Sequence, residues 1–123
     1  MKTNGGDNRK KTGGEGEGLA KTFLEQKGYR CLHQNWTKGR GDIDLIMQQD
    51  ETLVFVEVKT RSSLVPFEDM APGKKQIEHL FELAERYLEL NPAQADVRFD
   101  LVFVTKGLFR TEIVHLEHGL SGA

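Results

Sequence analysis

A chain of 123 residues with 37% hydrophobic and 29% charged residues has the size and composition of one folded domain. Its single cysteine, Cys31, excludes an intramolecular disulfide, and the polar N-terminus carries neither a secretory signal nor a membrane segment. We therefore expect a cytoplasmic protein with no membrane contact. The net charge of -2 excludes a uniformly basic surface for nucleic acid. Clustered basic residues, weak binding that depends on substrate shape, and no nucleic-acid ligand all remain open.

Hydrophobic periodicity predicts two helices and five strands in the order α-β-β-β-α-β-β. The predicted elements are, in chain order, a helix over 15–27, strands over 29–36, 42–48 and 52–59, a helix over 74–90, and strands over 99–105 and 111–117. Residues 1–14 have no apolar residue after Met1 and are predicted to be a flexible N-terminal tail, and residues 119–123 a short C-terminal tail. Residues 15–118 would form a single α/β domain, with a central mixed β-sheet flanked by helices.

The second and third predicted strands form a hairpin that gathers charged side chains. Side chains alternate along a strand, so Asp42 and Asp44 share one face, and Glu57 and Lys59 share one face. If the hairpin loop contains the four residues 48–51, all four charged side chains converge on the same face of the sheet. A change of one residue in loop length would separate them.

A cluster of three carboxylates is costly unless a cation neutralises it, and Lys59 alone cannot balance three negative charges. Oxygen ligands without a thiolate favour Mg²⁺ or Mn²⁺ over zinc. A metal held with open positions beside a lysine has the parts that phosphodiester hydrolysis needs. The alternative is a solvent-facing strand with a cross-strand ion pair, and the spacing of the residues does not decide between the two.

Asp44 followed by Glu57-Val58-Lys59 resembles the PD-(D/E)XK signature of the restriction-endonuclease-like nucleases. More closely, residues 41–46 (GDIDLI) and 54–61 (VFVEVKTR) resemble the YraN family, bacterial proteins predicted to have that fold. Further matches extend the resemblance over about residues 13–117. One departure is Asp42, where the family pattern usually has Glu.

The resemblance implies a role for each residue of the cluster. Asp44 and Glu57 would be ligands of Mg²⁺ or Mn²⁺, and the backbone carbonyl of Val58 would be a third. Lys59 would position the attacking water. Glu17 is similar to the helix-borne acid of the archaeal Holliday junction resolvases and would complete the catalytic set.

Three basic residues are candidates for nucleic-acid contact. Arg40 is flanked by two glycines, and its loop is either a simple turn or a close approach to a phosphate. Arg61 would share the face of Lys59 and either contact a phosphate or form a surface ion pair. The resemblance implies that Lys75, which opens the second helix, faces the scissile phosphate.

Three functions are compatible with these residues. The first is a metal-dependent endonuclease that hydrolyses DNA, at branched or structured sites if the resolvase comparison holds; that comparison also implies a homodimer. A mildly acidic nuclease could depend on a basic protein partner for recruitment. The second function is a catalytically weak or inactive nucleic-acid-binding module of the same fold. The third is a protein-interaction scaffold, which would require an exposed apolar patch.

Overall fold

The computed structural model describes residues 8–62, 71–92 and 96–120, with side chains from residue 14 onward. Its elements are α1 (Asn8–Gln26), β1 (Arg30–Trp36), β2 (Ile43–Gln49), β3 (Thr52–Ser62), α2 (Lys74–Leu90), β4 (Asp96–Lys106) and β5 (Thr111–Leu116). The predicted α/β class and element order are confirmed, and α2 spans the predicted residues. Within the ranges described, neither helix has a stretch apolar and long enough to cross a lipid bilayer.

The five strands form one mixed sheet in the order β1-β2-β3-β4-β5. Only β3 and β4 are parallel, and the other neighbouring pairs are antiparallel. Antiparallel neighbours can be joined by short turns, whereas a parallel pair needs a long crossover. Helix α2 lies in that crossover between β3 and β4. The strand order places β3 at the centre of the sheet.

The two helices cover opposite faces of the sheet. Val54, Val56 and Val58 of β3 pack in the core cluster that contains Ala20 and Leu24 of α1. The alternate β3 residues, Leu53 and Phe55, pack in the cluster that contains Leu80, Leu83, Ala84 and Tyr87 of α2. Because successive side chains of a strand point to opposite faces, each helix covers one face. A strand buried on both faces is a rigid support for any polar group that it carries.

Helix α1 begins at Asn8, before the predicted start at Glu15, so residues 8–14 of the predicted tail are helical. Hydrophobic periodicity cannot reveal a helical turn that has no apolar face. Extending an existing helix gains one backbone hydrogen bond for each residue that is fixed and needs no new nucleus. Residues 1–7 of the predicted tail lie outside the described part of the chain.

At the start of the predicted C-terminal tail, Leu120 is only 1% exposed and packs in the core on the α2 side, whereas residues 121–123 lie outside the described part of the chain. The chain turns back after β5: the N–H of Gly119 donates to the carbonyl of Leu116 at 3.1 Å. A Cβ on Gly119 would lie 2.9 Å from the Cβ of Leu101, so only a glycine lets the chain pass this closely. A lone leucine after a strand has no periodicity that would predict its burial.

The hairpin of β2 and β3 has a tighter turn than predicted. Gln49 pairs with Thr52, so the loop contains two residues and not four. Asp50, the first of them, has the left-handed φ of 52° that short hairpin loops require. The predicted register was therefore wrong by two residues. Since side chains alternate with a period of two, Asp44 and Glu57 still share a face.

A buried ionic network joins β4 to β5 at the end of the sheet near Tyr29. The carboxylate of Asp100 is fully buried and accepts two hydrogen bonds from Arg98, each 2.8 Å long. Nε2 of His115 lies 2.7 Å from the same carboxylate, and the N–H of His118 donates to it at 3.1 Å. Burial opposes ionisation, but the bonds from His115 and Arg98 outweigh it and hold the pKa of Asp100 below its usual value.

We predict that Asp100→Ala destabilises the protein by about 3–5 kcal/mol, because it leaves the mostly buried guanidinium of Arg98 with only the exposed carboxylate of Glu117 as an ion-pair partner. Urea denaturation followed by circular dichroism measures the change. The control is Glu112→Ala, which removes an exposed ion pair with Arg110 and should cost less than about 1 kcal/mol. A loss at Asp100 no larger than that of the control would contradict this account of the network.

Candidate active site

The site begins where β2 separates from β3. The backbone pairing of the two strands ends at Leu45 and Val56. The next N–H of β3 on this side, that of Val58, donates to Oδ2 of Asp44 at 2.8 Å. The Asp44 side chain thus replaces a backbone carbonyl of the missing strand pair. This bond fixes the carboxylate of Asp44 against the central strand.

Burial makes the negative charge of Asp44 unfavourable, since the residue is only 8% exposed. Burial, and then the nearby charge of Glu57, raise the pKa of Asp44 to about 9, although the N–H of Val58 opposes this shift. The metal-free site therefore holds Asp44 as a neutral acid at pH 7. A divalent cation in the cluster would replace that proton as the stabilising charge.

Glu57 and Lys59 lie two residues apart on β3 and form an ion pair of 3.4 Å between Oε2 and Nζ. Both side chains are about one fifth exposed, so the pair is partly shielded from solvent. Burial raises the pKa of Glu57, and the charge and hydrogen bond of Lys59 counteract part of that effect. One lysine is therefore not enough to balance the carboxylates around it.

Helix α1 adds a third carboxylate to the cluster, that of Glu17. The side-chain amide of Asn35 donates to Oε1 of Glu17 at 2.7 Å. Burial raises the pKa of Glu17, the bond from Asn35 lowers it, and the charge of Asp42 raises it further. Asp42 itself is exposed at the rim of the cluster. The structure thus brings together Glu17, Asp44, Glu57 and Lys59, the four residues predicted to be catalytic.

Two contacts that sequence reasoning missed explain how α1 reaches the site. A Cβ at Gly16 would overlap the hydroxyl of Thr60 on β3, so a glycine is required where the helix crosses the strand. Asn35 has a φ of 54°, a left-handed conformation that asparagine adopts more readily than most residues. Gly16 is one of several glycines in this helical stretch, so the sequence does not single it out as the contact. No local signal links Asn35 to Glu17.

The predicted nucleic-acid contacts are placed as follows. His79 of α2 lies with Nε2 2.9 Å from the carbonyl oxygen of Arg40, in the loop before β2. Strand β3 continues past Lys59 to Ser62, so Arg61 lies on the same face of the strand as Lys59. The Nε of Arg61 donates to the hydroxyl of Thr105 on β4 at 3.0 Å. Lys75 is exposed in the first turn of α2. Phosphate contacts of all three residues stay predictions.

Several aromatic and histidine side chains have packing roles. Trp36 lies edge-on against Tyr87, with 5.2 Å between ring centroids. His33 packs against the same tyrosine at 5.4 Å, and His115 belongs to the buried Asp100 network. The contact with Tyr87 favours a packing role for Trp36 over stacking on a base.

The donor set fits an open site for a hard cation. Over the three described ranges, no three acidic, histidine or cysteine side chains form a ready-made metal cage. The available donors are the carboxylates of Asp44 and Glu57 with a backbone carbonyl such as that of Val58. Mg²⁺ is commonly bound by one or two carboxylates together with waters and substrate phosphates. These residues therefore fit an open site for Mg²⁺ or Mn²⁺ better than a site that encloses the ion with protein ligands alone.

The model of the Uncharacterised protein family UPF0102 matches residues 16–104, which contain Glu17 and the whole Asp44, Glu57 and Lys59 cluster. The chain belongs to the UPF0102 family. It is 39% identical to a UPF0102 protein of Flavobacterium psychrophilum over 105 residues, which cover 83% of this chain and 87% of that relative. A UPF0102 protein of Treponema pallidum is 38% identical over 115 residues, which cover 86% and 89% of the two chains.

A third relative in the UPF0102 family, from Chlorobium phaeobacteroides, is 41% identical over 96 residues and 75% of each chain. The predicted resemblance to YraN is confirmed at the level of this family. Membership of the UPF0102 family places the cluster within the region that the relatives share. It does not by itself assign a reaction to that cluster.

The raised pKa of Asp44 gives a pH prediction for the metal-free protein. A carboxyl group that holds its proton more tightly when folded stabilises the fold at low pH, and that stability is lost as pH rises from about 4 towards 9. We expect Asp44→Asn, which keeps an acceptor for the N–H of Val58, to remove this loss. At pH 8 in EDTA the variant should exceed the wild type by at least about 1.4 kcal/mol, the equivalent of one pKa unit.

Urea denaturation at several pH values measures this difference. The matched control is Asp50→Asn in the exposed turn of the same hairpin, which should leave the pH dependence of the wild type unchanged. Parallel pH profiles for the wild type and Asp44→Asn would contradict the assignment of a buried, protonated Asp44.

Proposed function

We propose that this protein is a divalent-metal-dependent nuclease that hydrolyses phosphodiester bonds of DNA. The observation that carries the proposal is the carboxylate pair of buried Asp44 and partly buried Glu57, held on adjacent strands with Lys59 at 3.4 Å from Glu57. In the metal-free site a proton neutralises Asp44, and a bound cation would take the place of that proton when the carboxylates ionise. The mixed sheet, with this set on its central strand, is compatible with the restriction-endonuclease-like core that the motif implies.

Asp44, Glu57 and the carbonyl of Val58 would hold Mg²⁺ or Mn²⁺. When bound, such a metal polarises a phosphoryl oxygen and lowers the pKa of a coordinated water. The protein residues orient the reactants around it. The bond from Val58 keeps the Asp44 carboxylate in place, so little reorganisation is needed when a cation enters.

Lys59 has the position and charge to direct the attacking water and to stabilise negative charge that develops on the phosphate. Its partial burial strengthens this electrostatic effect, because water screens it less than on an open surface. Glu17, fixed by Asn35, offers an additional carboxylate oxygen at the edge of the cluster. Such an acceptor can hold a water by hydrogen bonding and so limit its orientations.

The substrate class rests on the similarity of Glu17 to the helix-borne acid of the archaeal junction resolvases. We propose branched or otherwise structured DNA as the preferred substrate, and a homodimer as the active form, since a junction has two strands to cut. The acidic composition of the chain accords with selective binding of DNA structure more than with tight binding of any duplex.

One observation supports a second candidate function, a protein-interaction scaffold. At the turn between β4 and β5, Leu108 is 94% exposed and Phe109 is 97% exposed. Two neighbouring side chains of β5, Val114 and Leu116, are also partly exposed. Exposed apolar side chains of this size are found in interaction surfaces. Self-association or a recruiting protein partner would use this surface and is compatible with nuclease activity.

The nuclease proposal is tested by cleavage of labelled four-way junction, flap, single-stranded and duplex DNA in Mg²⁺ or Mn²⁺. We expect the wild type to cut at least one structured substrate and Lys59→Met to cut at least about 100-fold more slowly, because a charge that stabilises the transition state is lost. Circular dichroism should show that the variant folds.

Lys74→Met is the matched control, since Lys74 is exposed at the start of α2 and has no assigned role. It should cut at the rate of the wild type. Absence of cleavage of every substrate by the wild type would refute the proposal in favour of a binding module. Equal rates for Lys59→Met and the wild type would refute the assigned site.

A further inference from the structure

A cleft lies between α2 and the loop of residues 37–42 that joins β1 to β2. Its volume is about 240 Å³. Its lining residues are Lys38, Gly39, Arg40, His79, Glu82, Leu83 and Arg86. Sites for small molecules usually enclose about 300–1,000 Å³ and are mostly apolar. This cleft is smaller and most of its lining side chains are charged, so its size and chemistry favour one charged group of a larger ligand.

The loop wall of the cleft is fixed before any ligand binds. The hydroxyl of Thr37 donates to the carbonyl of Gly41 at 2.6 Å, and Nε2 of His79 lies 2.9 Å from the carbonyl oxygen of Arg40. Gly41 has a left-handed φ of 75°, and a Cβ there would lie 2.5 Å from the His79 ring. Only glycine permits this close approach of loop and helix. A preformed loop costs little entropy on binding.

The cleft is a local concentration of positive charge in an acidic protein. Lys38, Arg40 and Arg86 face a single carboxylate, that of Glu82. Glu82 is itself engaged by His79, with 3.7 Å between Oε1 and Nδ1. Among residues 8–62, 71–92 and 96–120, none of the three cations forms an ion pair. Three exposed cations without partners are suited to an anion.

The position of the cleft connects it with the carboxylate cluster. Trp36 pairs with Ile43 where the loop closes, and Asp44 is the next residue. Asp44 lies four positions after Arg40 in the chain, so their Cα atoms lie at most about 14 Å apart. A polyanion that reaches the carboxylate cluster therefore has a compensating basic cleft within a short distance along its backbone.

We propose that this cleft binds a backbone phosphate of the nucleic-acid strand, beside the phosphate that is cut, through Lys38, Arg40 and Arg86. The inference rests on the proposed nuclease function and adds to it the path of the strand. Arginine can bind phosphate with two parallel hydrogen bonds, and lysine acts as a point charge. A contact of this kind positions the strand and carries no sequence preference.

The test measures binding of a labelled single-stranded oligonucleotide, in Mg²⁺, to Lys59→Met protein, in which cleavage does not interfere. The double substitution Lys38→Gln and Arg86→Gln is introduced into this background. Loss of two phosphate contacts should lower the slope of log affinity against log salt concentration by about 1.4, which is about 0.7 for each contact. Affinity at about 0.05 M salt should fall roughly tenfold or more.

The control is Arg30→Gln with Arg110→Gln, which removes the same charge at the far end of β1 and at the exposed turn before β5. It should leave the salt slope unchanged. A second measurement titrates inorganic phosphate against the wild type by calorimetry. We expect it to bind far more weakly than the oligonucleotide, because it gains nothing from contacts outside the cleft.

A salt slope that does not change in the double variant would overturn the proposal. So would equal affinities for inorganic phosphate and the oligonucleotide, which would indicate a site for a free anion. If the wild type cleaves DNA but the salt slope of the double variant does not change, the strand does not contact the cleft, and the nuclease proposal stands. If the salt slope changes but the wild type cleaves no DNA, the cleft binds phosphate in a protein that binds nucleic acid without cutting it.

Discussion

The hydrogen bond from the backbone of Val58 to the carboxylate of Asp44 is the contact on which the site depends. It is made where β2 separates from β3, so it replaces a backbone pair that the diverging strands cannot form. An unpaired N–H in this buried position would be costly, and the carboxylate avoids that cost. The price is a buried acid beside Glu57, which remains neutral unless a cation is near. The buried carboxylate of Asp44 thus completes the pairing of β3 and also provides an acid that a cation would stabilise in its charged form.

The remainder of the fold holds this arrangement from three directions. Helix α1 crosses β3 so closely that only glycine fits at position 16, and this contact brings Glu17 to the cluster. Helix α2 covers the other face and fixes the loop before Asp42 through His79. The buried Asp100 network ties β4 to β5 and so stabilises the parallel neighbour of β3.

The fold was largely predictable because its signals are local. Alternation marked the strands, and the apolar spacing of α2 predicted both of its ends. The shared face of Asp44 and Glu57 was also predicted, although the turn was tighter than expected, because an error of two residues preserves the alternation. The start of α1 and the burial of Leu120 were missed because neither has a periodic apolar pattern around it.

The supporting contacts of the site could not be predicted from the sequence, because they join residues that are distant along the chain. Asn35 with Glu17, Gly16 with Thr60, and His79 with Arg40 each depend on how elements pack. Arg86 is a similar case. In the sequence it is one cation on a helix face rich in glutamate, and only the packing of α2 against the loop brings it beside Lys38 and Arg40.

The central claim is that Asp44 and Glu57 form a site for a divalent cation, and calorimetric titration with Mn²⁺ tests it most directly. The comparison is between the wild type and Glu57→Gln, with Glu51→Gln in the exposed turn of the same hairpin as the matched control. Each protein is titrated with and without a short DNA. The account predicts binding to the wild type and the control, and binding to Glu57→Gln that is at least about tenfold weaker, because an oxyanion ligand is lost. Equal binding by all three proteins, or no binding by the wild type even with DNA present, would contradict it.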